Sequence, residues 1–438
     1  MRSKIEYDLD ILNFVEESLD PEQYLIATYI LQVPEGGDLL RSAEGLAAEQ
    51  STGTWTPTPE FYLPEVRERT AKVIGLHEIP GCGPGVTKAI YRVAYNIVNF
   101  GNSLSMLLSS VAGNIFAMGE SSVKLVDIKF PKSFVKEFPG PKFGMPGIRK
   151  YLGIHDRPIV GSIIKPKAGL PIREFAELCY KVAVGGCDFI KDDELMGASL
   201  SYSPVEERVI AVMEALDKAN SEKGEKTLYV ANITDDGKRI MEHAEKCIEA
   251  GVNGLMINYI AAGFQALRML AEDPSINVPI LAHRAMGGAL FRSPDHGIDA
   301  NVQAKMARLC GADTHTTGSI AGKLAVRDPK RVIELTETLR NPFYHIKPTM
   351  PFYSGGVYPG NIPLAISHLG IDLLIVSGGG IFGHPEGPIV GAKALRQSID
   401  ASVEGVPLEE AAKEHVELMK AVEKWGIWKK PTEKLFPF

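Results

Sequence analysis

The chain has 438 residues and a formal net charge of −7, with 23% charged and 45% hydrophobic residues. This length predicts two domains, one of them large, and the composition is that of a globular protein rather than a disordered or fibrous one. The negative charge argues against nucleic acid or an anionic membrane surface as the main partner, although small anions can still bind locally.

The N-terminal stretch MRSKIEYDLDILNFVEESLD mixes acids into every short apolar run. It therefore has neither the apolar core of a signal peptide nor a membrane span. The five cysteines lie far apart, and none forms a C-x-x-C pair. These features predict a cytoplasmic protein with reduced thiols.

Residues 1–140 predict a small α+β domain of ferredoxin-like type. Strand-like YLIATYILQV and AIYRVAYNIV are separated by helical LRSAEGLAAEQ and LSMLLSSVAGNIF. The proline-rich stretch FPGPKFGMPG, at 138–147, marks the junction with the following domain. Such a mixture of segments is typical of α+β domains.

Beyond this junction, short β-branched runs alternate with longer stretches of helical period, as in repeated βα units around a parallel sheet. Strands are predicted at 159–167, 188–194, 227–234, 254–260, 278–285, 312–318, 349–356 and 372–380. Eight βα units closing on themselves form a TIM barrel. We therefore predict an α/β fold whose (β/α)8 barrel domain, with a C-terminal helical extension, occupies residues 141–438.

Polar residues accumulate at the carboxyl ends of these strands, where TIM barrels carry their chemistry. They are Lys165, Lys167, Lys191, Asp193, Glu194, Asn232, His283, Arg284, Lys323, Ser354 and Gly378 to Gly380. A strand end that merely faced water would carry scattered charge. The mouth of the barrel is therefore the predicted functional site.

The stretch GGCDFIKDDELMG places Lys191 directly before three acids. Side chains alternate along a strand, so Lys191 and Asp193 should face one way and Asp192 the other, with Glu194 beginning the loop. Converging carboxylates suit Mg²⁺. A lysine ammonium cannot bind a cation, so Lys191 is either a counter-ion or an amine that has reacted with CO₂ to form a carbamate. Taken alone, the triplet favours a plain salt-bridged strand end.

The neighbouring stretch SIIKPKAGL changes that balance. Lys165 and Lys167 lie two residues apart and are predicted on one face of one strand, close to the acids. An amine held near a divalent cation and a second cation is pushed toward its neutral form, which a general base requires.

Glycine-rich turns follow strands seven and eight, in SGGVYPGN and SGGGIFGHPEGP. They contain Gly355 and Gly356 in the first and Gly378 and Gly379 in the second. Such turns form the usual phosphate cradle of a TIM barrel, although each alone is weak evidence. Together with Arg284 and Lys323 they predict an anionic, phosphorylated substrate.

At this point the motifs resemble those of the RuBisCO large subunit, including its archaeal and RuBisCO-like relatives, over nearly the full length. AAEQSTGTWT, AGNIF, GSIIKPKAGL, GGCDFIKDDE, AHRAM, GKL, SGG and GGGIFGHPEGP stand in the family's order and at its spacings. The resemblance implies that Lys191 is carbamylated and binds Mg²⁺ together with Asp193 and Glu194.

The resemblance also implies roles for other residues. Lys165 would be the enolising base, Lys167 a proton donor, His283 a further acid–base group and Lys323 a mobile-loop lysine that stabilises a CO₂-derived carboxylate. One phosphate site would contain Arg284 and Ser354, and the other would contain Thr54, Trp55, Gly356, Gly378 and Gly379.

The resemblance further implies a homodimer as the smallest complete enzyme. Glu49, Thr54, Trp55 and Asn114 would reach the barrel from the N-terminal domain of a partner subunit. Without the family, Glu49 would be interpreted as a helix-surface carboxylate and Asn114 as a helix cap.

Departures from the family pattern bear on the activity. The loop after strand six continues GKLAVRD, where carbon-fixing members usually have glutamate and glycine after the leucine. Thr316 stands where a phosphate-binding histidine is expected, and His315 lies one place earlier, on the opposite face of the strand. Losing one hydrogen-bonding cation at a phosphate costs about 1.5–3 kcal/mol.

Two functions therefore compete. The first, favoured by the altered loop and Thr316, is a RuBisCO-like enzyme that enolises a phosphorylated ketose or sugar acid for tautomerisation, isomerisation or decarboxylation. The second is an authentic archaeal-type ribulose-1,5-bisphosphate carboxylase, favoured by the retained catalytic residues. A metabolite-binding pseudoenzyme and a Schiff-base aldolase using Lys165 or Lys167 are further alternatives.

Overall fold

The computed structural model describes residues 19–54, 56, 58–118, 121–322 and 328–430. These residues form two compact units. The first unit contains the described residues up to Phe138 together with Met286–Met306, and the second contains Pro139–Ala285 and the described residues from Ala307 onward. Residues 286–306, predicted from the sequence to belong to the barrel domain, group with the first unit in the structure.

Thirteen strands are present in the described ranges. They are β1 (Tyr24–Pro34), β2 (Lys72–Ile79), β3 (Val86–Asn96), β4 (Ser122–Lys129), β5 (Ile159–Ile163), β6 (Phe189–Lys191), β7 (Leu228–Asn232), β8 (Leu255–Asn258), β9 (Ile280–His283), β10 (Gly297–Ile298), β11 (Thr314–Gly318), β12 (Met350–Ser354) and β13 (Leu374–Ser377).

The helices of the described ranges are α1 (Leu39–Glu49), α2 (Pro64–Arg69), α3 (Leu104–Val111), α4 (Lys132–Val135), α5 (Gly144–Leu152), α6 (Ile172–Val184), α7 (Val205–Lys223), α8 (Arg239–Glu249), α9 (Tyr259–Ala262), α10 (Phe264–Glu272), α11 (Gly287–Phe291), α12 (Ala300–Leu309), α13 (Lys330–Arg340), α14 (Ile362–Leu369), α15 (Gly379–Phe382), α16 (Pro388–Glu404), α17 (Leu408–Glu414) and α18 (Val416–Trp425). Short 3-10 helices occur at Pro59–Tyr62, Ile97–Asn99, Asn114–Ala117 and Pro359–Asn361. Among the residues described, no helix combines the length and apolar character that a bilayer crossing requires.

The first unit is built on a five-stranded mixed sheet with strand order β10-β4-β1-β3-β2. Strand β1 is central and pairs antiparallel with β3 and β4, while β10 pairs parallel with β4. Along β1 every second side chain is buried, including Leu25, Tyr29 and Val33. This alternation buries one face of the strand, as expected for a sheet covered on one side.

Lys124 on β4 attaches the segment 286–306 to this sheet. Its side chain is 1% exposed, and its ammonium donates to the backbone carbonyls of Phe291, at 2.8 Å, and Ser293. Asp299 lies 3.7 Å from the same nitrogen. A buried lysine needs such partners, because an unpaired buried charge is strongly unfavourable. These contacts are made between residues far apart in sequence, so local patterns could not predict them.

The second unit is a closed barrel with strand order β5-β6-β7-β8-β9-β11-β12-β13, and all its neighbouring strands are parallel. The buried cluster in the barrel includes alternate residues of these strands, such as Phe189, Val230 and Phe352. The predicted TIM barrel with an N-terminal α+β domain is confirmed. The strands are shorter than predicted, and β5 ends at Ile163, before Pro166, which lacks a backbone N–H for a strand ladder.

Asp313, just before β11, joins two distant parts of the second unit. Its buried carboxylate accepts hydrogen bonds from the backbone N–H groups of Phe143 and Gly144, both at 2.7 Å, and of Ile280, at 2.8 Å. It thereby fixes the start of α5 and the start of β9. Both carboxylate oxygens of Asp313 accept hydrogen bonds, so replacing either oxygen by an amide NH₂ would remove an acceptor.

We expect Asp313→Asn to destabilise the protein by about 1–3 kcal/mol. The new amide can still accept from Phe143 and Gly144 through one oxygen, but its NH₂ group would face the N–H of Ile280. The urea midpoint of unfolding measures the loss. Asp372→Asn, at a partly exposed carboxylate paired with Arg149, is the control and should cost less. Equal midpoints for wild type and Asp313→Asn would contradict the prediction.

Candidate active site

Three nitrogen-bearing side chains surround Glu194 at the mouth of the barrel. Its Oε2 lies 3.6 Å from Lys191 Nζ and 3.7 Å from His283 Nε2, and its Oε1 lies 3.6 Å from Lys167 Nζ. Glu194 is 26% exposed, whereas Lys191 is fully buried. The structure therefore brings the ends of β6 and β9 and the segment after β5 together around one carboxylate.

Asp193 forms the second half of the cluster. Lys165 Nζ donates to Asp193 Oδ2 at 2.6 Å, and Asp193 Oδ1 accepts from the backbone N–H of Leu195 at 3.2 Å. Lys165 is 25% exposed and Asp193 1%. The two lysines after β5 thus engage different acids, since Lys167 contacts Glu194 instead.

Burial governs the charge state of Lys191. Its Nζ lies 3.5 Å from Met256 Sδ and 3.6 Å from a Glu194 oxygen. Burial lowers the pKa of Lys191, and this effect outweighs the opposing attraction of Glu194 and Asp193. The neutral amine is therefore easier to reach here than for an ordinary lysine.

The pKa values of Glu194 and His283, which lie beside Lys191, are also lowered. Burial raises the pKa of Glu194, but the neighbouring Lys191 and His283, a backbone hydrogen bond and Lys167 outweigh this effect and bring that pKa to about 2. The pKa of His283 is held well below its ordinary value by burial and by the charge of Lys191. Glu194 is thus an anion and His283 a neutral imidazole at neutral pH.

Asp192 points away from this cluster, as the alternation of side chains predicts. Arg208 on α7 donates to its Oδ2 at 2.9 Å, and both side chains are fully buried. The Tyr229 hydroxyl donates to Oδ1 at 2.6 Å, and the Asn232 N–H donates to Oδ2 at 2.8 Å. Asp192, the middle acid of the triplet, therefore links the barrel to α7 and does not take part in the cluster.

Two further residues lie at the site and were not predicted from the sequence. Met256 and Asn258, both on β8, contact Lys191 Nζ and the backbone carbonyl of Glu194 respectively. Asn258 could have been predicted, because it is a polar residue at the end of a predicted barrel strand. The contact of Met256 with a lysine two strands away had no sequence signal.

Ser354, Gly355 and Gly356 follow one another at the end of β12, and all three are half-buried. The two glycines have φ of +116° and +90°, which side chains rarely adopt. A Cβ added at Gly378, after β13, would lie 2.8 Å from Lys165 Cε. Glycine at this position therefore makes room for the Lys165 side chain, and the exposed Gly379 follows it.

His315 does not reach the mouth of the barrel. It is fully buried, and its Nε2 shares a hydrogen bond with the Tyr259 hydroxyl at 3.0 Å. Burial and the charge of Arg284 lower its pKa to about 3. Thr316 instead stands beside Arg284, where its Oγ1 accepts from the Arg284 N–H at 3.1 Å, while the Arg284 guanidinium donates to Thr317 O at 2.6 Å.

The first unit carries the remaining candidates. Glu49 ends α1 and is half-buried, whereas Thr54 and Asn114 are exposed. Gln50, which follows Glu49, donates to the carbonyls of Ser109 and Ser110 at 3.2 and 2.7 Å, near the end of α3. The predicted residues Trp55 and Lys323 lie outside the described residues.

The barrel with a cluster of lysines and carboxylates at its mouth defines a TIM-barrel enzyme. Two family models match the chain. The model described as ribulose bisphosphate carboxylase large chain, N-terminal domain, matches residues 13–134, and the one described as its catalytic domain matches residues 144–425. The chain belongs to the RuBisCO large-chain family, as the motifs predicted.

Relatives of both functional kinds are similar to the chain. A ribulose bisphosphate carboxylase-like protein of Archaeoglobus fulgidus is 45% identical, over 96% of this chain and 98% of that protein. A ribulose bisphosphate carboxylase of Pyrococcus abyssi is 39% identical, over 97% of this chain and 98% of that protein. Similarity to both kinds leaves the particular activity open.

Solved structures agree with this assignment. The octameric Rubisco of Pyrococcus horikoshii OT3 superimposes with a TM-score of 0.86 at 37% identity, covering 98% of this chain and 99% of that one. The dimeric archaeal Rubisco of Hyperthermus butylicus gives 0.85 at 35% identity, covering 95% and 99%.

Proposed function

We propose that the protein enolises a phosphorylated ketose or sugar acid at a Mg²⁺ site formed by Asp193, Glu194 and carbamylated Lys191. The resulting enediolate would be used for tautomerisation, isomerisation or decarboxylation. The observation that carries the proposal is the buried Lys191 amine, 3.6 Å from Glu194, in a cluster where Lys165 binds Asp193.

The donor set fits a magnesium ion only when Lys191 is modified. In the part of the chain that the structure describes, no three His, Cys, Asp or Glu side chains converge as a ligand group. Asp193 and Glu194 supply two carboxylates. Attack of the neutral Lys191 amine on CO₂ forms an N–C bond and releases a proton, which turns a positive group into a carbamate with two acceptor oxygens. Hard oxygen donors of this kind suit Mg²⁺.

The chain's own residues would manage the protons. Bound Mg²⁺ would polarise the substrate carbonyl and stabilise the enediolate. Asp193 holds Lys165 at the mouth of the barrel, where its amine, once neutral, can take the proton from the carbon beside that carbonyl. Lys167 and His283, which both contact Glu194, would hold or deliver protons at the substrate oxygens.

The surroundings of Arg284, where one phosphate site is proposed, support the RuBisCO-like activity over carboxylation. His315 is turned away and bonded to Tyr259, and Thr316 occupies the position beside Arg284. This side of the mouth therefore offers Arg284 and half-buried Ser354 to an anion, with a threonine in place of the expected histidine. The 45% identity to a carboxylase-like protein is consistent with that activity.

Carboxylation of ribulose 1,5-bisphosphate is the second candidate. It is favoured by the joint presence of Lys165, Lys167 and His283 around the two acids. The 39% identity to a carboxylase of Pyrococcus abyssi also supports it. Lys323, the lysine that would serve a carboxylase directly, is present in the sequence.

A homodimer or higher homo-oligomer is proposed as the active form. The solved structures of the relatives are described as dimeric and octameric. Glu49, Thr54 and Asn114, together with Trp55, would complete the site of a partner subunit.

All five cysteines are free thiols, which supports a reducing, cytoplasmic location.

One experiment separates the two activities. Purified protein is incubated with Mg²⁺, bicarbonate, ¹⁴CO₂ and ribulose 1,5-bisphosphate, and acid-stable label is sought in 3-phosphoglycerate. In parallel, NMR in D₂O follows proton exchange beside the carbonyl of a panel of phosphorylated ketoses and sugar acids. Exchange without label supports the proposal. Label would establish the carboxylase, and the absence of both would refute the enolisation common to them.

Lys165→Met should reduce proton exchange by about 10²–10⁴-fold, the usual effect of removing a general base. Mn²⁺ binding should persist or strengthen, because Asp193 Oδ2 loses the ammonium that now engages it. Electron paramagnetic resonance measures the Mn²⁺ affinity. Lys181→Met, at a partly exposed lysine on α6 paired with Glu177, is the control and should leave both proton exchange and Mn²⁺ affinity unchanged. Normal exchange in Lys165→Met would contradict the role of Lys165 as base.

A further inference from the structure

The backbone of Asp193 and Glu194 is held by side chains rather than by a neighbouring strand. Strand β6 ends at Lys191, so the carbonyls of the two acids lie beyond its ladder. Buried carbonyls need donors. The Asp193 carbonyl accepts from the backbone N–H of Met196 at 3.0 Å, and further donors to the two carbonyls come from two asparagines, Asn232 at the end of β7 and Asn258 at the end of β8.

Asn232 is fully buried and fully engaged. Its Nδ2 lies 3.3 Å from the Asp193 carbonyl and 3.4 Å from the Glu194 carbonyl. Its Oδ1 accepts from the Thr234 hydroxyl at 2.6 Å and from the Thr234 N–H at 3.1 Å. Thr234 Oγ1 in turn accepts from the Asn258 N–H at 2.9 Å. The two strand ends and the acids are thereby joined in one hydrogen-bonded ring.

Asn258 makes the shortest contact of this ring with the acids. Its Nδ2 donates to the Glu194 carbonyl at 2.9 Å, and Asn258 is the last residue of β8, in register with His283 of β9. Asn258 is 8% exposed, and its Oδ1 is buried without a hydrogen-bond partner among the described residues. Turning the amide over would place Oδ1 against the Glu194 carbonyl, so the donor assignment is fixed by that contact.

An unpaired buried acceptor is unfavourable for folding. The carbonyl end of the Asn258 amide therefore opposes folding, whereas its NH₂ group has a definite target in the Glu194 carbonyl. The target is the peptide unit that carries a proposed metal ligand. Partners that orient metal ligands in this way typically change metal affinity when they are removed.

We propose that Asn258 is a positioning residue, which fixes the peptide of Glu194 and so sets the affinity of the site for a divalent cation. The proposal rests on the function proposed above. It predicts that cation affinity and folding stability respond separately to the loss of this side chain.

The test is Asn258→Leu, which keeps the branched shape and removes both the donor and the unpaired acceptor. Mn²⁺ titration of the full-length protein in the presence of bicarbonate, followed by electron paramagnetic resonance, should show a dissociation constant raised about 10- to 100-fold. The urea midpoint of unfolding should change little, because loss of the donor to the Glu194 carbonyl is offset by removal of the unpaired acceptor. Unchanged Mn²⁺ affinity in a folded Asn258→Leu protein would overturn the proposal.

Asn253→Ala is the matched control, two residues before the start of the same strand. The Asn253 side chain accepts from the Tyr229 N–H at 2.7 Å and donates to the Thr227 carbonyl at 2.9 Å and the Tyr151 hydroxyl at 3.1 Å. This variant should lower the urea midpoint and leave Mn²⁺ affinity unchanged. An equal loss of affinity in both variants would mean general loosening of the barrel and would overturn the proposal.

Thr234→Val is the second variant, because it breaks the ring by removing the acceptor of the Asn258 N–H while it leaves the Asn258 side chain in place. It should also weaken Mn²⁺ binding, and if Asn258→Leu does not fold, unchanged affinity in Thr234→Val overturns the proposal. Wild-type protein that binds no Mn²⁺ with bicarbonate would refute the proposed function, and this inference with it. Normal wild-type binding with unaffected variants would refute the inference alone.

Discussion

Replacing Lys191 with methionine should abolish enolisation, with a loss of more than about 10³-fold, above the 10- to 100-fold loss typical of an outer-shell partner. Methionine retains an unbranched side chain at the fully buried position but has no amine to react with CO₂. The site would then keep only Asp193 and Glu194 as anionic ligands. Proton exchange in D₂O, measured at saturating Mg²⁺ and bicarbonate, gives the loss.

A second measurement connects this loss to the carbamate. Wild-type protein equilibrated with ¹³CO₂ and Mg²⁺ should show a carbamate carbon signal by NMR, and Lys191→Met should lack it. An active variant, or a signal that persists in the variant, would contradict the assignment of Lys191.

Lys223→Met is the matched control for Lys191→Met. Lys223 ends α7 and is half-buried, and its ammonium donates to the Cys187 carbonyl and the Thr227 hydroxyl, both at 2.8 Å. Burial lowers its pKa as it does for Lys191. Because these partners lie before β6 and β7, at the other end of the barrel, this variant should lose stability and keep activity and the ¹³C signal.

Much of the fold could be predicted because its signals are local. Alternating β-branched runs and helical stretches identify the barrel strands, and the confirmed TIM barrel then places every strand end at one mouth. The convergence of Lys165, Lys167 and His283 on the acids follows from that single rule. It required the sequence to specify only which residue ends which strand.

The features that sequence did not predict depend on contacts between distant elements. Strand β10 pairs with β4, and Lys124 donates hydrogen bonds to the segment 286–306. Both contacts join residues more than 160 positions apart. The contact of Asn258 with Glu194 depends on how far β8 extends relative to β6. No periodicity encodes such a distance, so these residues appear only when the barrel is assembled.

His315 illustrates how a one-residue shift changes a site. On β11 adjacent side chains face opposite ways, so the sequence analysis expected His315 to miss the phosphate position. In the structure it packs outside the mouth against Tyr259. Thr316 takes the inward position. The chemistry available beside Arg284 is therefore set by the register of a single strand.

Removing the carboxylate of Asp192 should be the most destabilising single change among those considered, because it leaves the fully buried guanidinium of Arg208 without its anion. Breaking a buried ion pair by deleting one partner costs about 3–5 kcal/mol. Asp192→Ala should therefore unfold at a much lower urea concentration than wild type. The backbone N–H of Asn232, which now donates to Asp192 Oδ2, would also lose its acceptor.

The double variant Asp192→Leu/Arg208→Met distinguishes a charge effect from a packing effect. Apolar side chains of similar size remove both buried charges, and such replacements are often close to neutral. Some cost should remain, about 1–3 kcal/mol, because the Tyr229 hydroxyl would lose its acceptor. We expect the double variant to be more stable than Asp192→Ala and less stable than wild type.

A double-mutant cycle of urea midpoints, completed with Asp192→Leu and Arg208→Met alone, measures the coupling between the two side chains. A large favourable coupling is expected, since each single variant strands one charge in the interior. Additive effects would mean that Asp192 and Arg208 stabilise the barrel independently. The ion pair between them would then not explain why Asp192, which lies between Lys191 and Asp193, faces α7. Strong coupling would assign the middle acid of the triplet to the scaffold, and leave its two neighbours to the mouth of the barrel.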